Sequence, residues 1–407
     1  MLRCGLLGQK LGHSYSPAIH SLLGDYAYKL YEVQPEDVEA FLRSDAFDAL
    51  NVTIPYKKTA AALCDELSET AAAIGSANTL VRRADGTLFG DNTDVYGFEE
   101  MLRRADISPE GKKVLVLGSG GASAAVTYAL RRQKAREVVI ISRTGENNYT
   151  NLSRHKDADL IVNATPVGMY PDCGETLLDL TEFPVCDAVV DIIYNPVRTA
   201  LLLQAEELGL RTAGGLTMLA AQAVRSSERF TGASIPDEAI DKAVRYVRSQ
   251  TMNIVIVGMP GSGKTSVSEA LGKMLSRRVA DTDAQVTLDT GETPEQIILS
   301  RGESAFRAVE TEAVRHCGAS FGTIIATGGG VPLREENYAP LHQNGIIFWL
   351  QRDLNKLARE GRPLSQSADM QALYNAREPR YRRFADFVID NNRRIEDAAQ
   401  DILKVIE

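Results

Sequence analysis

The chain has 407 residues, 44% of them hydrophobic and 24% charged, which is typical of globular proteins with two or three domains. Its formal net charge of −9 argues against a general nucleic-acid binder, which would usually carry a basic field. The first residues lack the apolar core of a signal peptide, and no apolar run approaches the ~20 residues that cross a bilayer. The five scattered cysteines suggest a reducing compartment. We therefore expect a cytoplasmic protein without membrane partners.

Short apolar runs alternate with helical segments along the whole chain. The runs that read as strands lie at 49–54, 138–142, 160–164, 188–192, 323–326 and 345–350. This alternation predicts α/β domains with parallel sheets throughout. A short polar stretch at 248–252 precedes the second of two glycine-rich turns, and we place a domain boundary there.

Polar loops near the N-terminus carry candidate binding and acid–base groups. In the segment GHSYSP at 12–17, extended backbone would point Ser14 and Ser16 the same way, so that both could donate to a carboxylate. The segment NVTIPYK at 51–57 follows an apolar run and would hold Lys57 at a cleft rim, where burial or neighbours can tune its pKa. The turns at 75–79 and 90–94 add polar groups that are individually also typical of turns and helix caps.

The first glycine-rich turn, GSGGAS at 118–123, lies between a strand-like run and a helical segment. Its glycines allow backbone N–H groups to approach a pyrophosphate, although Ser123 replaces the third glycine of GxGxxG and an ordinary turn stays possible. The next run ends at Ser142, Arg143 and Thr144, where NAD enzymes usually carry an acidic residue. Because Arg143 suits a 2′-phosphate, we expect NADP to be preferred over NAD.

The second glycine-rich turn, GMPGSGKT at 258–265, matches G-x-x-x-x-G-K-[ST] in full. In such a loop backbone N–H groups cradle phosphate, Lys264 would reach the β- and γ-phosphates, and Thr265 would ligate Mg²⁺. Further on, Asp281 is placed to hold Mg²⁺ through water, and Asp283 could accept a proton from a substrate hydroxyl. A lone D-x-D of this kind is often only a polar loop.

Two later features suggest how an acceptor substrate could bind. Arg307 and Glu310 lie one helical turn apart on one face, an arrangement that a surface ion pair would also show. The run at 323–326 is followed by Gly328, Gly329 and Gly330, which would let a ligand lie against bare backbone.

Residues 1 to about 250 resemble the shikimate dehydrogenase family. The shared motifs are HS-x-SP, NVT-x-P-x-K, a turn ending in NT, DNTD, GxGG, NRT (here SRT), NATxxGM and G-x-x-M-x-x-x-Q, whereas a tryptophan often found before Thr-Gly is absent at 229–232. The resemblance implies an α/β fold with a substrate domain at 1–101, completed by returning helices at about 216–250, and a Rossmann NADP-binding domain at 102–215.

The same resemblance implies roles for individual residues. Lys57 and Asp94 would be the catalytic pair. The substrate would be held by Ser14, Ser16, Thr53, Asn78, Tyr194 and Gln222. NADP would be bound by Gly118, Ser119, Gly120, Gly121, Ala122, Ser142, Arg143, Thr144, Asn163, Thr165, Gly215 and Met218.

Residues 252–407 resemble the shikimate kinase family, which implies a P-loop domain of the nucleoside-monophosphate-kinase type with a parallel α/β/α fold. The shared motifs are the P-loop, the features at 281–330, a lid segment GRPL at 361–364, R-x-P-x-Y at 377–381 and an adenine-side segment at 392–394. The segment 359–362 is shorter than in the family, which leaves the extent of the lid and the role of Arg359 open. Catalysis would involve Lys264, Asp283 and Arg362. ATP would be bound by Gly258, Gly261, Ser262, Gly263, Lys264, Thr265, Ser266, Arg362, Arg393 and Arg394. Shikimate would be bound by Asp283, Arg307, Gly328, Gly329, Gly330 and Arg377, and Mg²⁺ by Thr265 and Asp281.

The two resemblances together predict a bifunctional enzyme of aromatic amino-acid biosynthesis. It would reduce 3-dehydroshikimate with NADPH and then phosphorylate shikimate with ATP to shikimate 3-phosphate. One alternative is a non-catalytic regulator that senses shikimate or nucleotide, but its catalytic lysines and aspartates would be expected to be lost. Another is a quinate/shikimate dehydrogenase fused to a different small-molecule kinase. The expected partners are small molecules rather than nucleic acid, and a homodimer is possible.

Overall fold

The computed structural model describes residues 1–12, 14–357 and 370–406. The chain divides into two compact units, Met1–Val247 and Arg248–Glu407. The division falls within a helix, Glu238–Thr251, close to the boundary expected at 248–252. The finer division of the first unit into a substrate domain and a cofactor domain stays a prediction. Among the described residues, no helix combines the length and apolar content needed to cross a membrane.

The first sheet of the N-terminal unit is mixed. Its strands are β1 (Arg3–Gly8), β2 (Ala27–Glu32), β3 (Ala49–Val52), β4 (Glu66–Leu67), β5 (Thr79–Arg82) and β6 (Leu88–Asp91), in the order β2-β1-β3-β5-β6-β4. β5 runs antiparallel to both β3 and β6, so the expectation of parallel sheets throughout is wrong here. The reason is the short turn between β5 and β6, since a parallel crossover needs a dozen residues or more. Gly86 in that turn has φ +87°, which favours glycine.

The helices around this sheet start at its strand ends. They are α1 (Ser16–His20), α2 (Val38–Arg43), α3 (Lys57–Leu63), α4 (Glu69–Ile74) and α5 (Asp94–Arg104). α3 and α5 begin on the two predicted catalytic residues, Lys57 and Asp94, so their side chains leave the helices at the first turn. Later in the chain α8 (Gly215–Thr231) packs on α5 and α9 (Glu238–Thr251) follows it. A Cβ on Gly97 of α5 would lie 2.6 Å from the Met218 carbonyl oxygen, so glycine is needed for this close approach.

The second sheet is wholly parallel, as the sequence predicted. It contains β7 (Lys113–Leu117), β8 (Glu137–Ile141), β9 (Leu160–Asn163), β10 (Ala188–Asp191) and β11 (Arg211–Gly214), in the order β11-β10-β9-β7-β8. The accompanying α-helices are α6 (Gly121–Arg132) and α7 (Ala200–Glu207). β7, β9 and β10 are buried along their whole lengths, which explains their unbroken apolar runs.

The C-terminal unit contains a third, parallel sheet. Its strands are β12 (Asn253–Val257), β13 (Val279–Asp281), β14 (Ile324–Ala326), β15 (Gly345–Gln351) and β16 (Phe387–Asp390), in the order β13-β14-β12-β15-β16. The described α-helices are α10 (Lys264–Leu275), α11 (Thr282–Thr290), α12 (Pro294–Arg301), α13 (Glu303–Gly318), α14 (Tyr338–His342), α15 (Met370–Phe384) and α16 (Ile395–Ile406). Trp349 and Tyr381 pack with their ring centroids 5.9 Å apart in the core. This core presents the strand ends of β12 and β14 to the predicted phosphate and substrate sites.

Candidate active sites

The N-terminal unit places a lysine and a carboxylate in direct contact. Lys57 Nζ lies 2.7 Å from Asp94 Oδ2, and the Asp94 side chain is only 5% exposed. Asn78 Nδ2 donates to the other carboxylate oxygen at 2.9 Å, so both oxygens have a donor. Asp94 also benefits from its position at the start of α5, where the helix dipole favours a negative charge. The pair therefore holds an ammonium group in a fixed place, as acid–base chemistry requires.

A cavity of about 350 Å³ opens beside this pair. Its walls bring together Lys57 and all six predicted substrate residues, namely Ser14, Ser16, Thr53, Asn78, Tyr194 and Gln222. Two predicted cofactor residues, Gly215 and Met218, line it as well. The Asn78 amide also donates to Gln222 Oε1 at 3.3 Å, which links α8 to the Lys57–Asp94 pair. The cavity is at the small end of the range for ligand sites and is rich in hydroxyl and amide groups.

The two predicted carboxylate-binding serines line the cavity, but not on extended backbone. Tyr15 between them is helical, with φ −79° and ψ −7°, and Ser16 is the first residue of α1. The Ser16 N–H donates to Ser14 Oγ at 3.2 Å, because a serine before a helix can satisfy an otherwise unpaired N–H of the first turn. The extended conformation that we expected is therefore wrong. The Tyr15 ring packs on Tyr194, with centroids 5.6 Å apart.

Sequence reasoning missed a buried aromatic and polar cluster next to Ser16. Tyr28 Oη donates to Asn51 Oδ1 at 2.8 Å, and the His20 ring stacks on Tyr28 with centroids 4.1 Å apart. Burial lowers the pKa of His20 to about 3, so the ring is neutral at physiological pH. Burial also raises the pKa of Tyr28. A single histidine on a short helix gave no signal in the sequence, although Asn51 opens the NVT segment.

The first glycine-rich turn joins β7 to α6, as a dinucleotide-binding turn would. Gly118 has φ +104°, and a Cβ there would lie 2.8 Å from Thr165 Cγ2. Ser123, which replaces the third glycine, donates from Oγ to the Gly118 carbonyl at 2.7 Å and ties the turn to the helix. The turn comprises the predicted residues Gly118, Ser119, Gly120, Gly121 and Ala122. Ser142, Arg143 and Thr144 follow β8, the neighbour of β7, so both segments lie at the same edge of the sheet.

The remaining predicted NADP-binding residues come from two further strand ends. Asn163 ends β9, and its Oδ1 accepts from the Thr165 N–H at 3.0 Å. A Cβ on Gly215 would lie 2.0 Å from the Ile192 carbonyl oxygen, so only glycine fits there. Asp191, which the sequence analysis passed over, ends the adjacent strand β10 and accepts from Asn163 Nδ2 at 3.1 Å. Its position at the end of an apolar strand was the signal that could have found it.

The second glycine-rich turn has the backbone of a phosphate-binding loop. Gly258, Gly261 and Gly263 have φ values of +152°, +83° and +93°, and α10 begins at Lys264. Lys264 Nζ donates to the Gly258 carbonyl at 2.9 Å. Its ammonium thus lies over the loop where phosphate oxygens would bind. The other predicted loop residues, Ser262, Thr265 and Ser266, occupy the turn and the first turn of α10.

The predicted magnesium ligands lie side by side. Thr265 Oγ1 donates to Asp281 Oδ2 at 3.4 Å. Asp281 caps α11 by accepting from the Asp283 N–H at 2.9 Å, which fixes its carboxylate. A hydroxyl and a carboxylate oxygen suit Mg²⁺, which commonly takes one or two protein ligands and fills its shell with phosphate and water. The donor set therefore fits this ion.

A cavity of about 570 Å³ in the C-terminal unit joins the phosphate loop to the predicted acceptor site. The predicted acceptor residues that line it are Asp283, Arg307, Gly328, Gly329, Gly330 and Arg377. Arg307 donates from Nη1 to Glu310 Oε2 at 2.8 Å, with the two side chains 10% and 1% exposed. The surface ion pair that the spacing left open is thus wrong, and burial raises the pKa of Glu310 even beside this cation.

Two arginines lie against the glycines that follow β14, and one of them requires the glycine at position 330. A Cβ on Gly330 would lie 2.0 Å from Arg307 Nη1. Arg377 Nη1 donates to the Gly329 carbonyl at 3.1 Å. The two guanidinium groups therefore meet at the same stretch of bare backbone, where a carboxylate could accept from both.

Two predicted nucleotide-binding arginines, Arg393 and Arg394, are not among the described residues that line this cavity. Arg362 lies outside the described residues. Arg393 and Arg394 are exposed and pair with Asp401 and Asp397 of α16, so their nucleotide role stays a prediction.

An asparagine that the sequence analysis did not single out contacts the phosphate loop. The Asn391 side chain is buried and donates to the Ser262 carbonyl at 2.6 Å. It directly follows β16, and this position at a strand end was the available signal.

Known proteins match each unit separately. The family model of the shikimate dehydrogenase substrate binding domain matches residues 6–80, and that of shikimate kinase matches residues 260–407. A shikimate dehydrogenase (NADP(+)) from Methanopyrus kandleri is 38% identical and aligns with 59% of this chain and 93% of its own length. One from Clostridium perfringens is 35% identical, with coverage of 57% and 93%.

Solved structures agree with this assignment of the first unit. A chorismate mutase/shikimate 5-dehydrogenase fusion protein from Clostridium acetobutylicum has a TM-score of 0.57 at 36% identity, covering 59% of this chain and 95% of its own. Shikimate 5-dehydrogenase from Thermus thermophilus, in complex with NADP(H) and shikimate, has a TM-score of 0.55 at 35% identity, with coverage of 60% and 99%. A quinate dehydrogenase from Corynebacterium glutamicum in complex with NAD reaches 0.55 at 29% identity, with coverage of 60% and 97%. The chain belongs to the shikimate dehydrogenase family in its N-terminal unit and carries a shikimate kinase domain in its C-terminal unit, which makes it a bifunctional fusion of the two enzymes.

Proposed function

We propose that the N-terminal unit reduces 3-dehydroshikimate to shikimate with NADPH, and that the C-terminal unit phosphorylates shikimate with MgATP to shikimate 3-phosphate. The observation that carries the first step is the Lys57–Asp94 pair, 2.7 Å apart on the wall of a cavity that Gly215 and Met218 also line. The second step rests on the cavity in which Lys264 of the phosphate loop lies together with Asp283, Arg307 and Arg377.

In the first reaction the bound cofactor supplies a hydride to the ring ketone. The carbonyl oxygen gains negative charge as this occurs, and Lys57 is placed to stabilise the oxygen and then protonate it. Asp94 keeps the ammonium in position and accepts a hydrogen bond from Asn78. Ser14 and Ser16 lie on the cavity wall with hydroxyl groups that can donate to the substrate carboxylate.

In the second reaction the chain's own groups mainly position and neutralise charge. Arg307 and Arg377 bind the carboxylate of shikimate against the backbone of Gly329 and Gly330. Asp283 lies in the same cavity and can accept the proton of the hydroxyl that attacks. When bound, Mg²⁺ between Thr265 and Asp281 would neutralise charge on the phosphates, as phosphoryl transfer requires.

The expected location and assembly follow from weaker observations. All five cysteines are thiols, which suits a reducing compartment such as the cytoplasm. A homodimer is a further hypothesis, which multi-angle light scattering at several concentrations tests. We expect no nucleic-acid partner, because the net charge is −9.

Mass spectrometry of the products tests both activities at once. The protein is incubated with 3-dehydroshikimate, NADPH and MgATP, and shikimate 3-phosphate is expected. Shikimate alone should accumulate without ATP or with the Lys264→Ala variant, and with Lys57→Met both products should form at least ~10²-fold more slowly. Parallel reactions replace NADPH by NADH, or run in the oxidative direction with NADP and either quinate or shikimate. Absence of both products from the unaltered protein would support a non-catalytic regulator, and faster oxidation of quinate would overturn the substrate assignment.

A further inference from the structure

A buried carboxylate lies between the cofactor side and the substrate side of the dehydrogenase site. Asp191, the last residue of β10, is fully buried. It accepts hydrogen bonds from Asn163 Nδ2 at 3.1 Å, from Thr199 Oγ1 at 2.7 Å and from the Ile193 N–H at 3.0 Å. The three donors are an amide, a hydroxyl and a peptide group, so the carboxylate has neutral partners. An ionised group in such a place is costly unless its hydrogen bonds are made, which suggests that these bonds serve a purpose.

The bond to Asn163 fixes the loop on the cofactor side. Asn163 and Asp191 face each other in register on adjacent parallel strands. Because Asp191 accepts only from the amide nitrogen, the Asn163 oxygen must point the other way, where it accepts from the N–H and Oγ1 of Thr165 at 3.0 and 2.7 Å. Asn163 Nδ2 also donates to the Val167 carbonyl at 3.2 Å. Asp191 thus selects one orientation of the amide that shapes this loop.

The bond to Ile193 fixes the loop on the substrate side. The Ile193 N–H is held by Asp191, and the Ile193 carbonyl accepts from the Gly215 N–H at 3.0 Å. The next residue, Tyr194, lines the substrate cavity and packs on Tyr15. Ile193, the residue that precedes Tyr194, is therefore held through both its N–H and its carbonyl.

The bond to Thr199 closes the same loop at its other end. Thr199 Oγ1 donates to Asp191 Oδ2 and accepts from the Leu202 N–H at 3.3 Å, so it also caps α7. A Cβ on Gly168, within the cofactor-side loop, would lie 3.6 Å from Thr199 Cβ, which shows how closely the two loops approach.

We propose that Asp191 is a positioning residue that sets the cofactor-side loop at 163–168 and the substrate-side loop at 192–199 relative to each other. The affinities of the dehydrogenase site for NADP and for shikimate would then depend together on its carboxylate. This inference rests on the proposed dehydrogenase function, since it assigns Asn163 to the cofactor and Tyr194 to the substrate.

The variant Asp191→Asn tests the proposal with little change in volume. In one orientation its amide nitrogen would face Asn163 Nδ2 and the Thr199 hydroxyl, and in the other it would face the Ile193 N–H. Each orientation brings two donors together, so at least one loop must shift. Initial rates of shikimate oxidation with NADP should show both KM values raised about tenfold or more, because hydrogen bonds to a charged group are lost. Shikimate kinase activity of the same chain should be unchanged, which shows that the effect is confined to the N-terminal unit. A rise in only one of the two constants, or in neither, overturns the proposal.

A second pair of variants covers the case in which Asp191→Asn does not fold. Thr199→Val removes one donor to the carboxylate, and Thr199→Ser keeps it. Both KM values should rise in the valine variant, because it loses one hydrogen bond to the carboxylate. In the serine variant, which keeps that bond, both values should stay within about twofold of those of the unaltered enzyme. Equal behaviour of the two variants would contradict the role of this bond.

The pH profile separates positioning from simple structural support. Burial raises the pKa of Asp191 to about 6, and none of its three hydrogen-bonding partners titrates near that pH. Protonation adds a donor to a site that already holds three donors, so both KM values of the unaltered enzyme should rise as pH falls through about 6. In Asp191→Asn this rise should be absent. If the unaltered protein did not oxidise shikimate at all, the proposed function would fail; if it did, with the same pH profile in both proteins, only the role of Asp191 would fail.

Discussion

The two lysines that line the dehydrogenase cavity offer a matched test of the catalytic pair. Lys57 Nζ contacts Asp94 at 2.7 Å, whereas Lys10 is exposed and forms no ion pair with the described residues. We expect Lys57→Met to lower kcat of the dehydrogenase by ~10²–10⁴-fold, the usual contribution of a positioned general acid. Lys10→Met removes a charge from the same cavity without removing a proton donor from the pair. It should change kcat by less than about threefold.

The carboxylate should matter less than the lysine, and not independently of it. Asp94→Asn replaces a charge-assisted hydrogen bond, which contributes about 1.5–3 kcal/mol, so we expect a loss of kcat of about 10- to 150-fold. Because Asp94 acts through Lys57, the double variant should be hardly slower than Lys57→Met alone. Asp94 also accepts from Asn78, so the substrate KM should rise as this amide loses its fixed partner.

The assay is the initial rate of NADP reduction at saturating shikimate, with the kinase rate of the same preparation as the reference for the amount of chain assayed. A catalytic role for Lys57 would be refuted by a loss of less than about tenfold, or by an equal loss in Lys10→Met. Additive effects of the Lys57 and Asp94 changes would refute their action as a unit.

Three further outcomes follow from single positions. Gly330→Ala should raise the kinase KM for shikimate about 10- to 100-fold, because the new methyl group would displace the Arg307 guanidinium, and it should leave the dehydrogenase rate unchanged. An unchanged kinase KM would contradict the placement of the shikimate carboxylate beside Arg307. Arg143→Ala should raise KM for NADP by about 10- to 150-fold and KM for NAD by less than about twofold, and equal changes for both cofactors would remove its assignment to the 2′-phosphate. Burial lowers the pKa of His20 from 6.5 to about 3, so the unfolded state binds the extra proton first and stability is lost as pH falls from 6.5 towards 3. Urea unfolding should show about 2 kcal/mol less stability of the N-terminal unit at pH 5 than at pH 7 from this group. A His20→Gln variant should lack that part of the loss, and an identical pH dependence in both proteins would exclude His20 as its source.

Features carried by contiguous residues could be predicted from the sequence. The phosphate loop at 258–265 needs its glycines for positive φ angles and its lysine at the start of a helix, and all of these requirements are met within eight neighbouring positions. Three strands of the second sheet, β8, β9 and β10, were predicted to within one residue, and β9 and β10 are buried along their whole lengths, whereas the half-exposed β11 was not predicted. The conformation of such a loop or strand is determined by its own residues and their burial, so it can be predicted before the elements that pack against it are known.

Features that depend on a competing local bond were predicted wrongly. Ser14 and Ser16 alternate as in a strand, yet the Ser16 N–H finds an acceptor in Ser14 Oγ and the backbone turns into α1. The first sheet reads as parallel from its strand and helix alternation, but the turn at Gly86 forces β5 and β6 to pair as a hairpin. The spacing of Arg307 and Glu310 is the same for a surface pair and a buried one, and only the packing of α13 decides between them.

Two of the residues that sequence reasoning missed, Asp191 and Asn391, share one property that suggests a better rule. Asp191 ends β10 opposite Asn163, and Asn391 directly follows β16, next to β15. Neither belongs to a motif, and each contacts a predicted site residue through a side-chain hydrogen bond. In a parallel sheet all strands end at the same edge, so a polar residue at the end of one apolar strand can contact the ends of strands one or two places away in the sheet, or the loops that follow them, as Asp191 and Asn391 do. Once the strand order is known, these positions can be predicted as supporting groups of the site, and the pH profile proposed for Asp191 is a direct test of that rule.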